Sequence, residues 1–170
     1  MDLMDIFSYG HWFGDNNYLD LLELKDAIDQ GTITIEEIRL PTKEPFDDWP
    51  SIFRHRKQFS GKDQHQELCS YAALWLEAQG VPWSSAPKDL HYPGGIADVI
   101  ALDGSIAVEC GYTQSEKVLN ACDKDISVLV VPYQEEIVGY LFRSVSFKRI
   151  DRYEKAKKEA VSVLKVPVPL

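Results

Sequence analysis

The chain is expected to fold as an α/β domain, and three stretches of sequence point there. Lys62 to Gln79 (KDQHQELCSYAALWLEAQ) sets Leu68, Ala72, Trp75 and Leu76 on one side of a helix, with Gly80 just past its end and Pro82 beyond. Asp103-Gly104 joins two β-rich runs, a strong short-range hairpin signal. Ile126 to Val131 (ISVLVV) is a short continuous apolar run, the pattern of a strand covered on both faces.

The elements follow in order. Asp15 to Gln30 places Leu21, Leu22, Leu24 and Ile28 at helical spacings and meets a helix stop at Gly31. Thr34-Ile35-Glu36-Glu37 has the form of a capping box and is expected to open a short second helix toward Arg39, ended by Pro41. Two such helices faintly resemble a helix-turn-helix, but their acidic surface would be repelled by phosphate. Leu40 to Trp49, with Pro41, Pro45 and few aliphatics, reads as a connector, so an acidic helical segment (1–53) is expected to precede the main domain (54–170). After the hairpin, Thr113-x-x-Glu116 is a second capping-box pattern and opens a helix through about Cys122. A strand over Tyr140 to Phe147 and a basic amphipathic helix over Asp151 to Leu164, stopped by Pro167 and Pro169, complete the chain.

Charge is divided unevenly along the 170 residues. Residues 1–53 hold 12 acidic and 3 basic side chains, whereas the last 28 carry 8 basic against 3 acidic ones, so the net charge of −9 belongs to the first third. No apolar run reaches the roughly 18 to 20 residues of a membrane span, and acids stand where a signal peptide has basic residues. Cys69, Cys110 and Cys122 show neither CxxC nor paired-His spacing, which argues against a disulfide framework or a structural zinc site. A soluble protein of the reducing cytoplasm, with no membrane partner, is the expectation.

The hairpin can be registered by arithmetic. With Asp103 and Gly104 as a two-residue loop, paired residue numbers sum to 207, which sets Val99 against Val108, Ile100 against Ala107 and Asp98 against Glu109. Directly opposed side chains have Cβ atoms roughly 4.5 to 5.5 Å apart, and like charges there repel. A divalent cation would offset this. Two carboxylates at a hairpin end, with the backbone carbonyl of Cys110 between them, make a hard-oxygen site suited to Mg²⁺ or Mn²⁺. Hydration of frayed strand ends, or a shared proton, is the alternative. Cys110 falls on the opposite strand face, with no reason in the sequence to pair it with His65, so a packed thiol is expected there. His65-x-Glu67 lacks the second His of a zincin motif.

These residues carry a resemblance. The run Gly95-Ile96-Ala97-Asp98-Val99-Ile100, a short turn and Ile106-Ala107-Val108-Glu109-Cys110-Gly111 resembles the D...ExK signature of the PD-(D/E)XK nuclease superfamily, over about Gly61 to Tyr133. The resemblance implies a restriction-endonuclease-like αβββαβ core with a mixed central sheet flanked by helices. It implies Asp98 and Glu109 as metal ligands and Glu67, in the preceding helix, as the additional acid many members carry. The superfamily's lysine, two residues beyond the glutamate, is replaced here by Gly111. Some members supply a Lys or Gln from a neighbouring element, and Lys117 and Gln114 stand at the start of the next helix. The activity implied is metal-dependent hydrolysis of phosphodiester bonds, in DNA before RNA, with Lys117 steadying the attacking hydroxide or the developing charge.

A nucleic-acid substrate needs cations for its phosphates. Arg54, Arg56, Lys57 and Lys62, and in the tail Arg143, Lys148, Arg149, Arg152, Lys155, Lys157 and Lys158, are available, with solvated basic faces as the alternative. A homodimer is a further expectation from the superfamily, in which many nucleases pair to cut two strands. The acidic segment could mask this basic surface or dock a protein partner. A non-catalytic binding module on the same fold is the competing expectation, favoured by Gly111.

Overall fold

The computed structural model describes residues 18–40, 63–85, 97–134 and 136–149. In chain order they form α1 (Tyr18–Asp29), β1 (Ile33–Arg39), α2 (Asp63–Ala78), β2 (Trp83–Ser84), β3 (Val99–Ala101), β4 (Ile106–Cys110), α3 (Ser115–Asp123), β5 (Ser127–Val131) and β6 (Val138–Ser144). The strands make one open sheet in the order β1-β6-β5-β4-β3-β2. It is mixed: β4 and β5 run parallel and the other neighbours antiparallel. The α/β expectation is met, and none of the described helices is long and apolar enough to cross a membrane.

Helices cover both faces. Leu68, Ala72 and Leu76 of α2 pack with Val99, Val108, Leu129, Val131 and Leu141. On the other face, Leu24 of α1 and Val118 and Leu119 of α3 pack with Ile100, Ala107, Val128, Val130 and Phe142. Side chains alternate between faces along a strand, so a strand covered on both sides must be apolar throughout, which is why β5 reads as an unbroken run.

The hairpin keeps its expected register, Val99 against Val108 and Ile100 against Ala107. Its connection is longer than two residues, however. The Gly104 N–H donates to the Ala101 carbonyl, and Asp103 Oδ1 accepts from both the amide and the hydroxyl of Ser105. The β4–α3–β5 unit follows with parallel strands, and α3 supplies the crossover that parallel neighbours need.

Two local expectations are corrected. Thr34 to Arg39 is a strand, paired with β6 along its whole length from Ile33 opposite Ser144 to Arg39 opposite Val138. A capping pattern stabilises only one helix end, whereas this ladder pairs seven residues and inserts Ile33 and Ile35 into the core beside α1. The described part of the N-terminal third is therefore built into the sheet and is not a helical appendage. In α3 the N-cap is Gln114, one residue after the expected Thr113, and its side chain makes no cap hydrogen bond.

The acidic front and the basic end meet in space. Arg149 Nη2 lies 2.6 Å from Asp20 Oδ1, and its Nε lies 3.5 Å from Glu23 Oε2, tying the chain beyond β6 to α1. Arg143 of β6 pairs with Glu36 of β1 at 3.6 Å, and Lys148 Nζ donates to the Asp123 carbonyl. These three cations thus have partners within the fold. Arg54, Arg56, Lys57, Lys62, the helix expected over 151–164 and its basic residues lie outside the described residues.

Candidate functional site

The site is built where β3 and β4 end against α2 and α3. Strict alternation would send Asp98 to the same face as Ile100. The ladder instead ends at Val99: the Asp98 N–H donates to the Val108 carbonyl (3.0 Å), and Asp98 Oδ2 accepts the Cys110 N–H (2.7 Å). A side-chain carboxylate thereby satisfies a strand amide. This leaves Asp98 Oδ1 3.2 Å from His65 Nε2, in the first turn of α2, while His65 Nδ1 lies 3.2 Å from the Tyr133 hydroxyl. One turn along α2 sits the buried Cys69. The ligand atoms of His65, Cys69 and Asp98 all lie within 4.8 Å of one another.

Glu109 belongs to a different neighbourhood. It is buried on β4 next to Ala107, whose side chain packs on the α3 face, and its Oε1 lies 3.4 Å from Lys117 Nζ in the first turn of α3. The repulsion expected between the two acids is thus answered by separate cations, His65 for Asp98 and Lys117 for Glu109. Among the described residues Glu109 is not part of the convergent His65, Cys69, Asp98 group. Glu67 is exposed at the start of α2, where its Oε1 accepts a hydrogen bond from Tyr71 (2.7 Å), and it too lies outside that group.

Gly111 has a physical reason for lacking a side chain. Its φ is +86°, and a Cβ there would come within 2.5 Å of the Tyr133 ring. Tyr133 occupies the space that a Cβ at position 111 would enter, and it is held there by His65 and by edge-on contact with Tyr112 (centroids 5.5 Å apart). Lys117 comes to the glutamate from α3 instead.

Electrostatics follow from these contacts. The hydrogen bond to Asp98, reinforced by one to Cys69, raises the His65 imidazole to about 11, so it is a cation at neutral pH. A hydrogen bond from Cys110 draws the Cys69 thiol below its ordinary value, with His65 acting in the same direction. Burial pushes the Cys110 thiol well up, leaving it a neutral donor. Cys110 therefore packs against α2 as expected of its strand face, but it reaches Cys69, and through it His65, which sequence reasoning did not connect.

The signal for this cluster was the i, i+4 spacing of His65 and Cys69, which stacks them on one helix face. Their proximity to Asp98 depends on how α2 docks on the sheet and could not be read from spacing. Comparisons with protein-family models, curated proteins and solved structures find no match to this chain.

Proposed function

We propose that the protein is a divalent-metal-dependent nuclease of PD-(D/E)XK type, hydrolysing phosphodiester bonds in DNA before RNA. The observation that carries this reading is the Lys117 ammonium 3.4 Å from the Glu109 carboxylate. An amine reaching the strand glutamate from α3 answers the absence of a lysine at Gly111. The order α2, β2, β3, β4, α3, β5, with antiparallel β2–β3–β4 and parallel β4–β5, is the order the resemblance implies and supports the reading.

Asp98 and Glu109 are the residues that would hold Mg²⁺ or Mn²⁺ on this reading; they diverge as they stand, so Asp98 would have to exchange its contact with His65 for the ion. Two carboxylates at the hairpin end are donors of the right hardness, one half-buried and one buried. When bound, the ion would polarise a phosphoryl oxygen and lower the pKa of a coordinated water. Lys117 would hold positive charge against the scissile phosphate. Tyr112, 64 % exposed beside Tyr133, offers a ring on which an unpaired base can stack.

The second reading, a nuclease-fold binding module without hydrolysis, is favoured by the engagement of both Asp98 oxygens within the fold. A cleavage assay on single- and double-stranded DNA and RNA with Mg²⁺ or Mn²⁺ separates the two. Metal-dependent cutting lost in Glu109→Ala and Lys117→Ala supports the nuclease. No cutting by the wild type, with DNA retained in a gel shift, moves the reading to the binding module.

A further inference from the structure

The convergence of His65, Cys69 and Asp98 brings a nitrogen, a sulfur and an oxygen to one point, a donor set that hard cations do not select. We propose that these three residues form a binding site for a borderline-soft transition-metal ion, with zinc(II) its natural occupant and a fourth coordination position left open. The proposal does not rest on the nuclease reading.

The spacing fits such an ion. Tetrahedral zinc with bonds of about 2.0 to 2.1 Å to nitrogen and oxygen holds those donors about 3.3 Å apart. His65 Nε2 and Asp98 Oδ1 are 3.2 Å apart. Sulfur bonds of about 2.3 Å widen the remaining separations only slightly, within the 4.8 Å that contains all three donors.

The surroundings also resemble those of a ligand set. Metal-bound histidines are oriented by a hydrogen bond at the other ring nitrogen, and ligating carboxylates are themselves hydrogen-bonded. Here Tyr133 occupies His65 Nδ1 and the Cys110 amide occupies Asp98 Oδ2, which leaves Nε2 and Oδ1 turned toward the common point. Entry is open on the polar side, since the His65 and Asp98 side chains are 15 % and 21 % exposed while Cys69 forms the buried floor. The incoming ion replaces the Nε2 and thiol protons, both of which go to solvent, so no co-reactant is needed.

The test is cobalt(II) titration of the full chain, purified metal-free and reduced, followed by the thiolate-to-cobalt charge-transfer band and the intense visible bands of tetrahedral cobalt. One equivalent of Co²⁺ should produce both signals, Zn²⁺ should displace it, and excess Mg²⁺ should not. Cys69→Ser should abolish the charge-transfer band, His65→Gln and Asp98→Asn should weaken Co²⁺ binding at least about tenfold, and Tyr133→Phe should weaken it about tenfold. Cys122→Ser, on the opposite face of the sheet, should keep the signals. Circular dichroism checks the fold of each variant, and if Cys69→Ser does not fold, His65→Gln decides. No charge-transfer band in the wild type, or a band unchanged in both Cys69→Ser and His65→Gln, overturns the proposal and reduces the cluster to an ion pair beside a packed thiol. A chain that binds Co²⁺ through Cys69 but cuts no nucleic acid retains this site and loses the nuclease reading alone.

Discussion

Replacing Gly111 with alanine is the sharpest mechanical test of the site. Two costs add. A side chain at φ +86° incurs left-handed strain of about 1 to 2 kcal/mol. The new Cβ would lie 2.5 Å from Cε2 and Cζ of Tyr133, so the ring must move and surrender its hydrogen bond with His65, a further loss of about 1 to 2 kcal/mol. The sum is about 2 to 4 kcal/mol, which for a chain of this size lowers Tm by about 5 to 15 °C. Urea denaturation of the wild type, Gly111→Ala, Tyr133→Ala and the double variant closes a cycle. With the ring gone, Gly111→Ala should cost only the backbone strain, giving a coupling of about 1 to 2 kcal/mol. A cost below about 0.5 kcal/mol, or one that is the same with and without Tyr133, would refute the claim that Tyr133 is what excludes a side chain. Gly111→Lys should be destabilised at least as much, since its side chain starts from the same Cβ.

Three other outcomes are expected. If the proposed nuclease reading holds, Lys117→Ala should reduce metal-dependent cleavage at least about 100-fold, measured by single-turnover kinetics, while lowering stability by about 1 to 3 kcal/mol; an unchanged rate would remove Lys117 from the mechanism. His65 binds its proton more tightly folded than unfolded, where the imidazole titrates near 6.5. Its pairing with Asp98 therefore stabilises fully below that pH, and the contribution is lost as pH rises toward about 11. With chelator present, the urea-midpoint gap between wild type and His65→Gln should be wide at pH 6 and narrow by pH 10.5, and a constant gap would contradict the assignment. Arg149→Met, which leaves Asp20 and Glu23 without this cation, should destabilise by about 3 kcal/mol in thermal melts; a loss under about 1 kcal/mol would mean that the pairs contribute little.

The parts legible in the sequence were those governed by neighbours in the chain. The Asp103-Gly104 turn sets the register that brings Val99 opposite Val108, and helical periodicity marks α2 because one of its faces must be apolar wherever it docks. β1 was misread because Thr34, Glu36 and Glu37 suit a helix start, while the ladder that overrides them belongs to residues about a hundred positions away. The placement of Asp98 and Glu109 at the hairpin end was legible, but their divergence was not, since it follows from a break in the ladder at Val99 and from where α2 and α3 settle. Cys69 looked inert for the same reason: its neighbours His65 and Cys110 are assembled by packing.

The pairing of β1 with β6 has a consequence in time. Its partners are separated by 99 residues at Arg39–Val138 and 111 at Ile33–Ser144. At translation speeds of about 5 to 20 residues per second, β1 waits roughly 5 to 20 seconds for the strand that completes it. During that interval Ile33, Ile35 and Ile38 have no ladder to hold them, and Glu36, Glu37 and Arg39 between and beside them are what discourages pairing with another nascent chain. The same charges that make β1 a poor-looking strand on paper thus guard it until β6 emerges.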